Sequence, residues 1–244
     1  MTLNEKLDQF ENNGFQVIDS IYSNDEIAEL QYIIEKADTT ADTFRKSANL
    51  FAVRQFLKEI PETLPVIFNS KLNAVINALG SKYFSVKSIY FDKPGESNWF
   101  VAYHQDLTIS VNNKTDTEGF GPWTVKQNQF AVQPPINILE NIFTIRIHLD
   151  DTNEENGALK VIPESHKKQI YRPETIDWNK ETEVSCSVPK GGIMLMKPLL
   201  LHSSGRTVNN SRRRVIHIEF SNIELPENLK WSERINLVNT ELHV

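Results

Sequence analysis

Between residues 84 and 221 the chain repeats one texture. FSVKSIYFDK, WFVAYHQDLTIS, IFTIRIHLDD, ALKVIP, EVSCSVP, GIMLMKP and RRVIHIEF are short runs rich in β-branched and aromatic residues, separated by Gly, Pro, Asn and Asp. Runs of that length and spacing read as strands of an antiparallel sandwich rather than as alternating βα units. The expected fold is mainly β, a double-stranded β-helix (jelly roll, cupin-like). The N-terminal third is different. Residues 3–13 end at Gly14, a left-handed stop, and SNDEIAELQYIIEKA opens with Ser23 and Glu26 in capping-box spacing. Ile27, Leu30, Ile33 and Ile34 then form one apolar stripe. Two further helices are expected at 47–58 and 65–79, the second stopped by Gly80. We therefore expect one domain, 1–244, in which a helix-rich buttress (1–80) packs on the major sheet of a jelly-roll core (84–222). The connection 111–135 is long and carries Phe120, Trp123 and Phe130, which favours a lid.

Composition narrows the partners. A formal net charge of −6 argues against a nucleic-acid or anionic-membrane binder, and RRR at 212–214 is too local to change that. No apolar stretch approaches the ~20 residues of a membrane span. The opening MTLNEKLDQFENNGF has no basic segment followed by an apolar run, and the single cysteine, Cys186, has no intrachain disulfide partner. A cytoplasmic protein acting on a small molecule is expected, with no oligomeric state written in the sequence.

VAYHQDLTI, residues 101–109, places chemistry inside a strand-like run. Side chains alternate along a strand, so His104 and Asp106 share one face and Gln105 takes the other. A third donor lies far along the chain, where His202 closes the apolar run LMKPLLLH. Two histidines and one carboxylate form the facial triad of non-haem Fe(II) oxygenases, which leaves three positions for a chelating co-substrate and O2. The usual co-substrate, 2-oxoglutarate, needs a guanidinium for its far carboxylate, and Arg213 stands eleven residues after His202. On that strand Arg213, Val215 and His217 share a face, while Arg212, Arg214, Ile216 and Ile218 share the other. The isoleucines belong against apolar structure, which aims Arg213 inward. In TIRIHLD, Thr144, Arg146 and His148 form a polar face that is costly to bury unless it lines a cavity. That assigns Thr144 and Arg146 to co-substrate or substrate contact. Asn98, Trp99 and Gln133 flank the expected mouth. His148 and His217 read as hydrogen-bonded rather than as ligands, His166 as structural, Tyr103 as core packing, and Asp150–Asp151 as solvated turn chemistry.

These motifs resemble the phytanoyl-CoA dioxygenase family of Fe(II)/2-oxoglutarate oxygenases, and in particular its bacterial small-molecule members. The resemblance covers nearly the whole chain, from FENNGFQVID through FDKPGESNWFVAYHQDLTISV and GPWTVKQNQF…IRIHLDDTNEENGALKVIPESH to HSSGRTVNNSRRRVIHIEF. It implies iron on His104, Asp106 and His202, and 2-oxoglutarate on Arg213 with Ser204. Lys93 matches the lysine before the metal motif. Arg146 stands where some relatives carry a co-substrate-contacting tryptophan, and Glu164 replaces a turn glycine of many relatives. The implied activity is hydroxylation of an aliphatic C–H with release of succinate and CO2. A desaturase or epimerase would use the same triad, and the alternative from another class is a non-catalytic cupin-like metal- or ligand-binding module.

Overall fold

The computed structural model describes residues 1–237 apart from 39, 48, 49, 96, 98, 127 and 128. Helices α1 (Leu3–Asn13) and α2 (Asn24–Lys36) flank strand β1 (Phe15–Ile18). Then come β2 (Phe44–Ser47), β3 (Leu50–Arg54), α3 (Phe56–Glu59), α4 (Leu64–Ile67) and α5 (Ser70–Leu79). The β-rich part contains β4 (Phe84–Lys93), β5 (Val101–His104), β6 (Ile109–Val111), β7 (Trp123–Lys126), β8 (Gln129–Val132) and, after α6 (Ile136–Glu140), β9 (Ile142–His148). It closes with β10 (Leu159–Val161), β11 (Val184–Cys186), β12 (Ile193–Met196), β13 (His202–Ser204), β14 (Arg213–Ser221) and β15 (Ile235–Asn236).

Among the described residues the major sheet has eight strands, in the order β1-β12-β9-β14-β4-β3-β2, with β15 added to β4. The minor sheet is β11-β10-β13-β5, and a third sheet is β6-β8-β7. Every pairing is antiparallel. This is the expected jelly roll. Both N-terminal capping boxes form: Thr2 with Glu5 on α1, and Ser23 with Glu26 on α2. Gly14 ends α1 at φ +83°, and a Cβ there would collide with the His166 ring. The helices cover the outer face of the major sheet. Phe10, Ile27, Leu30 and Leu72 join Ile145, Ile147, Ile216 and Ile218 in one apolar cluster, each buried aliphatic or aromatic side chain contributing about 1.5–3 kcal/mol. Inside the barrel a separate cluster, including Leu159, Val161, Met194, Met196 and Leu200, closes one end. No helix among the described residues is long and apolar enough to cross a membrane.

Three expectations are corrected. The helix expected at 47–58 is present only from Phe56, as the short α3, and 50–54 are strand β3: Phe51 and Val53 face the apolar cluster and Arg54 faces inward, the period-2 pattern of a strand, and β3 pairs with the open edge of β4. The helix expected at 65–79 breaks at Phe68 and Asn69, where the Asn69 side chain accepts the Leu72 N–H at 2.9 Å and caps a new helix. The 111–135 connection holds the β7–β8 hairpin, whose Phe120, Trp123 and Phe130 pack on an apolar cluster with Val132 and Leu139; it is a wall of the fold.

Candidate metal and co-substrate site

Strand pairing brings the distant histidine to the first motif. β13 runs antiparallel to β5 with His202 directly opposite His104, and their ring centroids lie 4.2 Å apart. A register shift follows between His202 and Ser204, the kind of bulge that re-aims side chains beside a site. β5 stops at His104, so WFVAYHQDLTIS is two strands, β5 and β6, and Asp106 lies in the turn between them. The Asp106 N–H donates to Pro198 O at 2.9 Å. Gln105 is buried on the opposite side. Its amide donates to Leu199 O and Gln169 O and accepts from Tyr171 N–H, tying the turn to the segment that leads into His202.

His104 Nε2 lies 3.9 Å from Asp106 Oδ1, and His202 Nε2 lies 3.8 Å from Asp106 Oδ2. All three donor atoms fall within 4.8 Å of one another. In both rings Nδ1 sits 2.9 Å from a backbone carbonyl, Ala102 O for His104 and Leu200 O for His202. A carbonyl only accepts, so Nδ1 carries the proton and Nε2 presents its lone pair to the centre. Burial depresses the His202 pKa to about 4 against the pull of Asp106, which keeps that lone pair free at neutral pH. Burial opposes ionisation of Asp106, but His202, Lys87, His217 and His104 outweigh it and hold the carboxyl below the usual carboxylate range. A divalent ion fits this donor set.

The cavity over these donors has a volume of about 230 Å³, and its lining includes Phe91, Trp99, Arg146, Ser204 and Arg213. At one end two cations converge on Gly157. Arg213 Nη1 donates to Gly157 O at 2.6 Å and Nη2 to Ser204 Oγ at 3.5 Å, while Lys93 Nζ donates to Gly205 O at 2.6 Å. Both residues are buried, and neither forms an ion pair with a described carboxylate. Burial, with each cation's neighbouring arginine, lowers Lys93 to about 8 and Arg213 to about 9. The Arg213 Nε has no hydrogen-bond partner among the described residues. Buried cations without a counter-charge are costly, and a Cβ on Gly157 would sit 2.8 Å from Lys93 Nζ and 3.5 Å from Ser204 Oγ. The cradle is built to receive an anion.

Arg146 is held differently. Its Nη1 lies 3.1 Å from His217 Nδ1, and His217 Nε2 lies 3.2 Å from Glu219 Oε1, which also takes Lys87 Nζ at 2.6 Å. Arginine only donates, so His217 Nδ1 accepts and Nε2–H donates to the carboxylate. Burial, opposed by Glu219, lowers the His217 pKa, consistent with a neutral ring in that tautomer.

Of the expected site residues, the fold brings His104, Asp106, His202, Ser204, Arg146, Arg213 and Trp99 to the cavity lining, with Lys93 beside it, its Nζ 5.7 Å from the Trp99 ring centroid. Thr144 is buried, its hydroxyl without a hydrogen-bond partner among the described residues, but it lines no described cavity, because β9 carries it past Arg146 towards Glu219 and Met196. Gln133 is placed elsewhere, its backbone bridging Gly121 and Pro122, and Asn98 lies outside the described residues. Tyr103 is not core packing: its hydroxyl meets Glu183 and its ring meets Trp178 on the outer face. Asp150 pairs with Arg214, and Asp151 accepts Lys190 N–H. Lys87 and Glu219 were missed as contributors, although Lys87 shares the strand parity of Lys93.

Residues 10–215 match the model of the family described as Phytanoyl-CoA dioxygenase (PhyH). The chain belongs to the phytanoyl-CoA dioxygenase family. Members of that family are Fe(II)- and 2-oxoglutarate-dependent oxygenases, the class expected from the motifs. A curated relative from Stutzerimonas stutzeri, described as a "Probable alpha-ketoglutarate-dependent hypophosphite dioxygenase", is 22% identical over 89% of this chain and 78% of its own length. Among solved structures, HygX from Streptomyces hygroscopicus, with nickel, 2-oxoglutarate and hygromycin B bound, aligns with a TM-score of 0.63 at 16% identity. That match covers 93% of this chain and 90% of HygX. The non-heme alpha ketoglutarate dependent epimerase SnoN from nogalamycin biosynthesis aligns at 0.66 and 16% identity, over 90% of this chain and 83% of SnoN. Solved structures that share this fold thus include an epimerase.

Proposed function

We propose that the protein is an Fe(II)- and 2-oxoglutarate-dependent dioxygenase, acting as one domain, that hydroxylates an aliphatic C–H of a free small molecule. One observation carries the reading: three converging metal donors line one cavity with Arg213, and Arg213 and the adjoining Lys93 form a buried two-cation cradle without a counter-charge among the described residues. A metal-binding module without turnover has no use for that cradle.

His104 Nε2, His202 Nε2 and one Asp106 oxygen would hold the ion. Arg213 and Lys93 would hold the far carboxylate of 2-oxoglutarate beside Ser204, whose hydroxyl donates to Gly157 O and would turn to the ligand when it binds. Arg146, fixed by His217, would direct a second guanidinium edge towards the same cavity. When bound, iron supplies oxidising power from O2 as 2-oxoglutarate is converted to succinate and CO2. The chain's own part is to orient and to exclude water. Phe91 and Trp99, whose rings stack with centroids 6.3 Å apart, wall the cavity, and the two carbonyl-fixed histidine tautomers keep the donor atoms aimed before the ion arrives. Asp106 favours hydroxylation over halogenation, because a halide needs the position that the carboxylate would fill.

The test is succinate release from 2-oxoglutarate under O2 with added Fe(II). Wild-type protein should turn over, slowly without substrate, and Asp106→Ala should fall to background. Full turnover in that variant defeats the assignment.

A further inference from the structure

Next to the metal-side cavity lies a larger chamber of about 370 Å³, and the two share Lys87 and Ile89 in their walls. Register explains the continuity. Arg54 on β3 stands opposite Ile89 on β4, Ile89 opposite His217 on β14, and His217 opposite Arg146 on β9. Arg54 and Arg146 are thus two ends of one cross-strand row on the inner face, about 14 Å apart at three inter-strand spacings.

The chamber's polar groups are unevenly matched. Lys87 is neutralised by Glu219 at 2.6 Å. The Glu233 carboxylate accepts from the backbone N–H and the hydroxyl of Ser88, and burial raises its pKa to about 7, so at neutral pH it carries only part of a negative charge, already held by Ser88. Arg54 has no ion pair with a described carboxylate. Its Nη1 donates to the neutral Gln129 Oε1 at 3.3 Å, across the chamber from β3 to β8. The rest of the wall carries neutral hydrogen-bonding side chains such as Thr108, Ser110, Asn112 and Thr124.

Resting on the dioxygenase reading, we infer that Arg54 is the substrate's anion anchor, and that the substrate is a small polar molecule bearing one oxyanion. The guanidinium takes the oxyanion in the chamber, Gln129 steadies it, and the C–H to be oxidised extends past Ile89 towards Asp106. An oxyanion matches the planar donor fork of arginine whether it is carboxylate, sulfonate or phosphonate. Neutral analogues would leave the guanidinium desolvated and unpaired, a difference that discriminates strongly.

The experiment uses the full chain with Fe(II) and 2-oxoglutarate. Succinate release is followed with a panel of amino and hydroxy acids, each beside its primary amide, its sulfonate and its phosphonate. Stimulation is expected from oxyanions and not from amides, and comparing the three acid types identifies the headgroup. For each stimulating compound, Arg54→Gln should raise the half-saturating concentration by about 10- to 100-fold. Arg54→Lys should recover part of that loss. The visible Fe(II)–2-oxoglutarate absorption, measured anaerobically, should be the same in both variants and serves as the folding control. Stimulation by the amides, an unchanged half-saturating concentration in Arg54→Gln, or a panel without any stimulating oxyanion overturns the inference. Absence of the visible band in the wild type defeats the dioxygenase reading instead, and this inference falls with it.

Discussion

Replacing Arg213 by methionine should make the protein more stable and unable to bind 2-oxoglutarate. The guanidinium is buried, forms no ion pair with a described carboxylate, and is lowered well below its ordinary value, to about 9, by burial and by Arg146. At ~1.4 kcal/mol per pKa unit, carrying that charge into the fold costs about 5 kcal/mol. Because the folded value is the depressed one, the full cost is present at pH 7 and is relieved only as pH rises beyond about 9. Against it stand two hydrogen bonds, to Gly157 O and Ser204 Oγ, together about 2–4 kcal/mol. Gly157 O keeps the Ser204 hydroxyl at 3.0 Å, so the substitution orphans no carbonyl. The net gain for Arg213→Met is about 1–3 kcal/mol, or about 2–12 °C in Tm for a chain of this size. Thermal melts with and without 2-oxoglutarate, under anaerobic Fe(II), read both effects. The ligand should raise the wild-type Tm and leave that of the variant unchanged. A variant less stable than wild type, or one still stabilised by 2-oxoglutarate, would show that Arg213 is a structural residue.

Gly157→Ala places a methyl 2.8 Å from Lys93 Nζ at a backbone φ of +84°. Because the methyl also meets the backbone Gly205 O at 2.8 Å, it should cost at least about 1–2 kcal/mol in stability and raise the KM for 2-oxoglutarate at least tenfold, read by succinate release. Glu233 behaves as an acid whose folded pKa, about 7, lies above its ordinary 4.5 because of burial. The fold therefore loses stability as pH rises from about 4.5 through 7, by up to about 3 kcal/mol. Urea denaturation of Glu233→Gln at pH 5 and pH 8 should show that slope flattened, and an unchanged slope would exclude Glu233 as its source.

What the sequence made legible was periodic. Alternation along the β-runs located most strands and aimed Arg213 and Arg146 inward while Ile216 and Ile218 faced the helices; it also paired His104 with Asp106, although β5 ends at His104 and Asp106 reaches the site from the connection after it. The failures were long-range. SANLFAVRQFL has a composition that suits a helix, and only the open edge of β4 made residues 50–54 a strand, which is also what brings Arg54 into the chamber. Thr144 shares Arg146's parity, but parity says nothing about how far along the barrel the cavity extends. Lys87 and Glu219 neutralise each other across neighbouring strands, a pairing that appears only once β4 and β14 are in register. The 111–135 segment was long enough to suggest a lid, yet its aromatics found an apolar cluster to pack on.

The central claim is that one cavity holds both the iron donors and the 2-oxoglutarate cradle. Anaerobic titration of the protein with Fe(II) and 2-oxoglutarate, followed for the weak visible charge-transfer band, tests it most directly. The account predicts a band in the wild type that is absent in both Asp106→Ala and Arg213→Ala. Iron bound without a band in the wild type, or a band that survives both substitutions, would contradict it.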